Sequence, residues 1–173
     1  MNDDSGLREG IESGLLSLLP LALCLALLLF SLLPFGLPGL RAIAPSLVMI
    51  AIFYWTVYRP DLMPLSAGFA IGVIQDLIVG TPLGLSAAML VVVQAAVSSQ
   101  RQFFLSHSFR FVWIGFATIA LGANALGWVA AMVYNGALIE PRSILFQALL
   151  TIALYPCLSV PFGVLRRELP YPG

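Results

Sequence analysis

Lysine is absent from this chain, histidine occurs once and cysteine twice, and only 9% of its 173 residues are charged. Soluble domains carry about 25% charged residues. A chain that is 60% hydrophobic, with mean hydropathy +1.00, has too little polar surface to cover itself in water. A soluble globule is therefore excluded, and an integral membrane protein is expected. The formal net charge is +0, so no strong field draws nucleic acid or an acidic substrate. The lone His107 has no cysteine or acidic companions in its segment, so no metal site of usual ligand number is expected. Cys24 and Cys157 both lie in apolar runs. They read as small hydrophobes of helix packing, with no disulfide framework. The patterns G-x-S-x-G, Walker A and H-E-x-x-H are all missing, and no serine at depth has a basic partner within its own segment. Neither catalysis nor a cofactor is expected.

The apolar runs are helical in length and lack the alternation of an outer-membrane barrel. The expected fold class is therefore all-α: a polytopic membrane protein with six transmembrane helices at Ser13–Leu33, Ala42–Tyr58, Leu62–Val79, Leu83–Ser98, Phe109–Tyr134 and Ser143–Leu165. A bilayer core of about 30 Å needs about 20 helical residues, so the third and fourth are short. No loop is long enough for a soluble domain, so residues 1–173 read as a single transmembrane domain with a short tail, 1–12. That tail is acidic, where a cleaved signal peptide is basic.

With six spans, Arg8, Arg59, Arg101, Arg110, Arg166 and Arg167 share the side of both termini, and Arg41 and Arg142 face the other. The bias places both termini in the cytoplasm. Trp55, Tyr58, Trp113 and Tyr134 lie near span ends, as in an aromatic belt. The sixth helix holds Pro156 and Pro161 and is the one expected to kink.

The segment from Tyr58 to Gly84 holds Asp76, the one carboxylate inside an apolar run. Pro64, Gly68, Gly72, Asp76 and Gly80 recur every four residues, which puts them on one helical stripe. Small residues at that spacing admit a close neighbouring helix, and the acid then faces protein. The stripe runs into Gly80-Thr81-Pro82-Leu83-Gly84, a turn. Functionally, Asp76 can hold a cation, a polar ligand or a partner's basic residue. Structurally, it can accept hydrogen bonds from the turn amides or a neighbouring helix. Gln75, Gln94, Asn124 and Gln147 either line a polar cavity or pair across helices, at about 1 kcal/mol each. Gly115, Ala123, Gly127 and Ala131 form a second stripe, interrupted by Ile119. The stretch 100–110, with Arg101, Phe103, Phe104 and Arg110, reads as a cytoplasmic loop that docks a protein or touches anionic headgroups.

Tyr54-Trp55, Tyr58-Arg59-Pro60 and Gly72…Asp76…Gly80-Thr81-Pro82-Leu83-Gly84 resemble the bacterial rod shape-determining MreD family. There, an aromatic, Arg-Pro-ended second span leads to a third span closing on G-x-x-x-D-x-x-x-G-x-P-L-G. The matched motif covers about a sixth of the chain. The resemblance implies a non-enzymatic inner-membrane scaffold of lateral wall synthesis. Its partners would be membrane lipid, an MreC-type membrane protein, an MreB-type filament and peptidoglycan synthases. It also implies a fold like the six-helix substrate components of energy-coupling-factor vitamin transporters. The residues expected to pack helices or bind a partner are Trp55, Arg59, Pro60, Gly68, Gly72, Asp76, Gly80, Pro82, Leu83 and Gly84. The acidic N-terminal tail is not required by the family pattern. A vitamin- or small-molecule-binding transporter component is the alternative. Such a component needs convergent polar or aromatic groups, usually on outer loops, and the loop 34–40 holds only Phe, Leu, Gly and Pro.

Overall fold

The computed structural model describes residues 18–31, 45–136 and 140–168. Among them are seven helices and no strand: α1 (Leu19–Ser31), α2 (Leu47–Tyr58), α3 (Leu65–Val79), α4 (Leu85–Ser99), α5 (Arg101–Ser106), α6 (Phe109–Asn135) and α7 (Pro141–Glu168). The helix boundaries have local causes. Pro64 is extended at φ −64° and ψ 159° and stands before α3, so the third helix starts later than the expected Leu62. Gly80 and Gly84 take φ 78° and φ 98°, a left-handed backbone that side chains with a Cβ resist. They stop α3 and start α4. The parts of the first two expected spans at 13–17, 32–33 and 42–44 lie outside the described residues.

Two helices, α6 and α7, contain 27-residue stretches long and apolar enough to cross a bilayer. The other four long helices have 12 to 15 residues. At 1.5 Å per residue they rise roughly 18–23 Å, short of the ~30 Å hydrocarbon core. Of the six expected spans, two are thus helices of full crossing length among the described residues, and the other four coincide with shorter apolar helices that do not by length establish a crossing. The stretch 100–110, expected as a loop, contains α5. This helix buries Phe104 against Phe53, ring centroids 5.6 Å apart. Its Arg101 donates from Nε to the Val57 carbonyl at 2.9 Å. Phe104 and Arg101 are therefore committed to the fold.

The core is built around α2. Every residue from Val48 to Val57 is buried, as expected of a helix apolar all round. Phe53 meets Phe116 and Tyr155 edge-on at 4.9 and 5.6 Å. Trp55 is also fully buried, beneath Phe162 of α7, so it is not a belt residue facing lipid. Trp113 and Tyr134 are exposed.

Helix α7 runs unbroken through Pro156 and Pro161. A proline lacks the N–H that would bond the carbonyl four residues back. Pro156 thereby frees the Ile152 carbonyl, and Trp113 of α6 donates its indole N–H there at 2.9 Å. A neighbouring helix thus satisfies what the proline leaves open.

The outer surface is apolar. Val133, Tyr134, Leu77 and Val160 are among many large exposed hydrophobics, Val133 reaching 79% exposure. Polar residues such as Asp76, Gln94 and Thr151 are buried. This inverted distribution suits lipid as the solvent.

Candidate functional site

Helices α3 and α4 form a hairpin across the Gly80–Gly84 turn, and Asp76 sits where they join, 1% exposed. Its Oδ1 accepts from the Thr81 hydroxyl at 2.7 Å and from the Ser86 N–H at 3.1 Å. Its Oδ2 accepts from the Gly84 N–H at 2.8 Å and the Ser86 N–H at 3.2 Å. Gly84 is the residue that caps the start of α4 and Ser86 lies in its first turn, where backbone N–H groups have no partner within the helix. The carboxylate of one helix thus caps the next, at the end where a helix dipole favours negative charge. The Gly80 N–H closes α3 onto the Asp76 carbonyl at 2.9 Å.

The stripe below Asp76 faces α4. A Cβ at Gly72 would collide with the backbone of Ala87, lying 2.6 Å from its N. The two main chains therefore approach as closely as glycine permits. A Cβ at Gly68 would collide with the Gln94 carboxamide, 2.6 Å from Cδ. Gln94 is fully buried, and its Nε2 donates to the carbonyls of Met63 and Pro64 at 3.3 and 3.4 Å. Each helix of the hairpin therefore sends one polar side chain to the backbone flanking the other's N-terminus.

Beside this hairpin lies a cavity of about 250 Å³ between α2, α3, α4, α6 and α7. Its lining includes Gln75, Asn124 and Gln147, together with Ser46 and Trp128. Three of the four carboxamides singled out at depth thus converge. Asn124 donates to the Ala120 carbonyl of its own helix at 2.8 Å. Gln75 Oε1 is buried with no hydrogen-bond partner among the described residues. Among the described residues, no charged side chain lines the cavity and no group of three His, Cys, Asp or Glu converges to hold a metal.

Arg59 and Pro60 lie at the opposite end of α3. Arg59, 3% exposed, ends α2 and forms a two-pronged pair with Asp61: Nε to Oδ1 and Oδ2 at 3.1 Å, and Nη2 to Oδ2 at 3.0 Å. Pro60 makes the turn between them, its carbonyl accepting from the Met63 N–H at 3.3 Å. Trp55, Arg59, Gly68, Gly72 and Asp76 are all enclosed, whereas Leu83 at the hairpin tip is 70% exposed. Asp61 and Ser86 are not among the residues the sequence singles out, and Thr81 enters there only as part of the turn, not as a partner of Asp76. The signal for Asp61 and Thr81 was proximity: two residues after Arg59 and five after Asp76.

The family model for the rod shape-determining protein MreD matches residues 13–162. No curated protein and no solved structure matches the chain. The match takes in α1 to α6 and α7 as far as Phe162, and with them both the capped hairpin and the Arg59–Pro60 turn. The chain is therefore a member of the MreD family of membrane proteins, which takes part in determining rod shape.

Proposed function

We propose that this protein is a non-enzymatic scaffold of the lateral wall-synthesis machinery in the bacterial inner membrane. In this reading it crosses the membrane six times, with both termini in the cytoplasm. It engages an MreC-type membrane protein and, through the complex, an MreB-type filament and peptidoglycan synthases. The observation that carries the reading is the capped hairpin. The most conspicuous functional group in the sequence, Asp76, has both oxygens taken up by holding α3 to α4. That is the use of a carboxylate in a rigid frame, not in chemistry. The tip, Pro82–Leu83, is what such a frame offers a partner.

The gathering of Arg59, Arg101 and Arg166 around the end of α2 supports the topology: Arg101 bonds Val57, and Arg166 lies 4.5 Å over the Tyr58 ring. Arg142 stands at the far end of α7, paired with Glu140. The test is depletion of the protein, complementation by the parent or by Leu83→Asp, and co-purification with the MreC-type partner. Loss of rod shape on depletion is expected, with Leu83→Asp accumulating normally yet recovering less partner. A depleted strain that keeps its rod shape would end the proposal.

A small-molecule-binding role is the second reading, favoured by the cavity that joins Gln75, Asn124 and Gln147. It predicts a neutral, hydrogen-bonding ligand retained through purification and lost with Asn124→Leu.

A further inference from the structure

We propose that a groove between α2, the start of α6 and the last half of α7 holds one anionic phospholipid. The groove encloses about 510 Å³ and lies away from the α3–α4 turn. Its polar end carries Arg166, Arg167 and Tyr58. Arg166 lies over the Tyr58 ring, its central carbon 4.5 Å from the centroid. A guanidinium over an aromatic ring still has its edge N–H donors to offer, and such an edge takes a phosphate in two-pronged fashion. Among the described residues the ion pairs are Arg59–Asp61 and Arg142–Glu140, so neither groove arginine is in one.

The remainder of the groove is mostly apolar; besides Tyr54 its polar side chain is Ser159, whose hydroxyl is turned back to the Pro156 carbonyl at 2.8 Å. Val164 and Val160 descend from the arginines along α7 to Pro156. Val160 and Val164 are 69% and 61% exposed, on a helix long enough to cross the bilayer. Gly163, between them, adds no side chain to the wall. From Arg166 to Pro156 is about 15 Å at 1.5 Å per residue, which is half of the ~30 Å hydrocarbon core. The groove therefore has a cationic head and an apolar tail about one leaflet deep. A free phosphate would use only the head; a phospholipid uses both. Basic sites between membrane helices on the cytoplasmic side are suited to anionic headgroups.

The test uses the full chain purified in neutral detergent, with bound lipid counted by native mass spectrometry after titration with phosphatidylglycerol or phosphatidylcholine. The parent is expected to retain one phosphatidylglycerol in preference to phosphatidylcholine. The double change Arg166→Gln, Arg167→Gln should weaken phosphatidylglycerol retention by about twenty-five-fold, a factor of about five per guanidinium, and leave phosphatidylcholine unchanged. Val160→Trp keeps both charges and fills the apolar wall. It should also reduce retention, and it decides the matter if the arginine variant does not accumulate. Arg142→Gln, at the other end of α7, should have no effect. Equal retention of the two lipids by the parent, or unchanged retention in both groove variants, would overturn the proposal. Displacement of the lipid by millimolar inorganic phosphate would assign the arginines to a soluble phosphate instead and overturn it as well.

Discussion

The sharpest consequence of the hairpin geometry concerns the pair Asp76→Asn and Asp76→Leu. In the parent, Oδ2 takes the Gly84 and Ser86 amides while Oδ1 takes Thr81 and shares Ser86. An asparagine can place its carbonyl oxygen at the Oδ2 position and keep both amides. Its NH2 then lies where Oδ1 was and donates to the Thr81 oxygen, because a hydroxyl is both donor and acceptor and rotates to suit. Gly84, Thr81 and Ser86 each keep a bond, Ser86 only its 3.2 Å half to the Oδ2 position, and the cost is that lost half-bond plus the difference between charged and neutral hydrogen bonds, about 1–2 kcal/mol. Leucine removes the acceptors. The Gly84 and Ser86 N–H groups are then left at the joint of two packed helices, at about 1–3 kcal/mol each, or roughly 2–6 kcal/mol together. Membrane hydrogen bonds often measure near 0.6 kcal/mol, which favours the lower part of that range. Even the lower figure is a large share of a typical folding margin of 5–15 kcal/mol. The assay is unfolding of purified protein by graded SDS, beside cellular abundance and rod shape. Asp76→Asn is expected to be near-parental in all three, and Asp76→Leu to be depleted. A normally abundant, normally stable Asp76→Asn protein that no longer supports rod shape would refute the capping account, because the charge itself would then be doing something the fold does not need.

Three further outcomes are expected. Gly72→Leu should lower accumulation more than Gly68→Ala, since position 72 meets the Ala87 backbone and position 68 meets the end of a flexible Gln94 side chain; equal accumulation measured by immunoblot would count against close helix approach. Trp113→Phe should cost about 1 kcal/mol in SDS unfolding by stranding the Ile152 carbonyl, and in a Pro156→Ala background the cost should vanish, because residue 156 then supplies its own N–H; an undiminished cost in that double-mutant cycle would mean the Trp113 bond has another role. A reporter active only in the cytoplasm should be active when fused after Gly173 and silent at Pro82; activity at both sites would sink the six-crossing topology.

Much of the hairpin was legible because it rests on local periodicity. Gly68, Gly72 and Asp76 share a face by their four-residue spacing, and the same three meet α4. The left-handed glycines at 80 and 84 are the residues a tight turn requires. What was not legible depends on long-range contact. Gln94 could be named as a polar residue at depth, but not its destination 31 residues away at the Met63 carbonyl. Trp55 stands near a helix end and so resembles a belt residue. Only the arrival of Phe162 from α7 shows that it is core. The stretch 100–110 looked like a loop by its polarity, yet its Phe104 is drawn into the aromatic cluster and a short helix forms around it. The role of Trp113 could not be read at all, because it needs the facing of α6 against the turn of α7 that Pro156 opens.

The two polar ties of the hairpin act together. Asp76 reaches from α3 to the amides that open α4, and Gln94 reaches from α4 to the carbonyls that precede α3. Sliding one helix past the other would strain both ties at once, and the Gly72–Ala87 contact, backbone against backbone, leaves little room for rotation. Gln94 is fully buried, so its tie, once broken, has little water to replace it. The hairpin is therefore set on its own, and on the proposed scaffold role a protein docking on its Pro82–Leu83 tip would meet a surface already ordered, with little conformational entropy left to lose on binding. A protein that positions others gains from that rigidity, whereas a gate or carrier must give it up. On the proposed role, the enclosed Asp76 and the exposed Leu83 should differ in sensitivity: changes at Asp76 should act first on whether the frame exists, and changes at Leu83 on what the frame can hold.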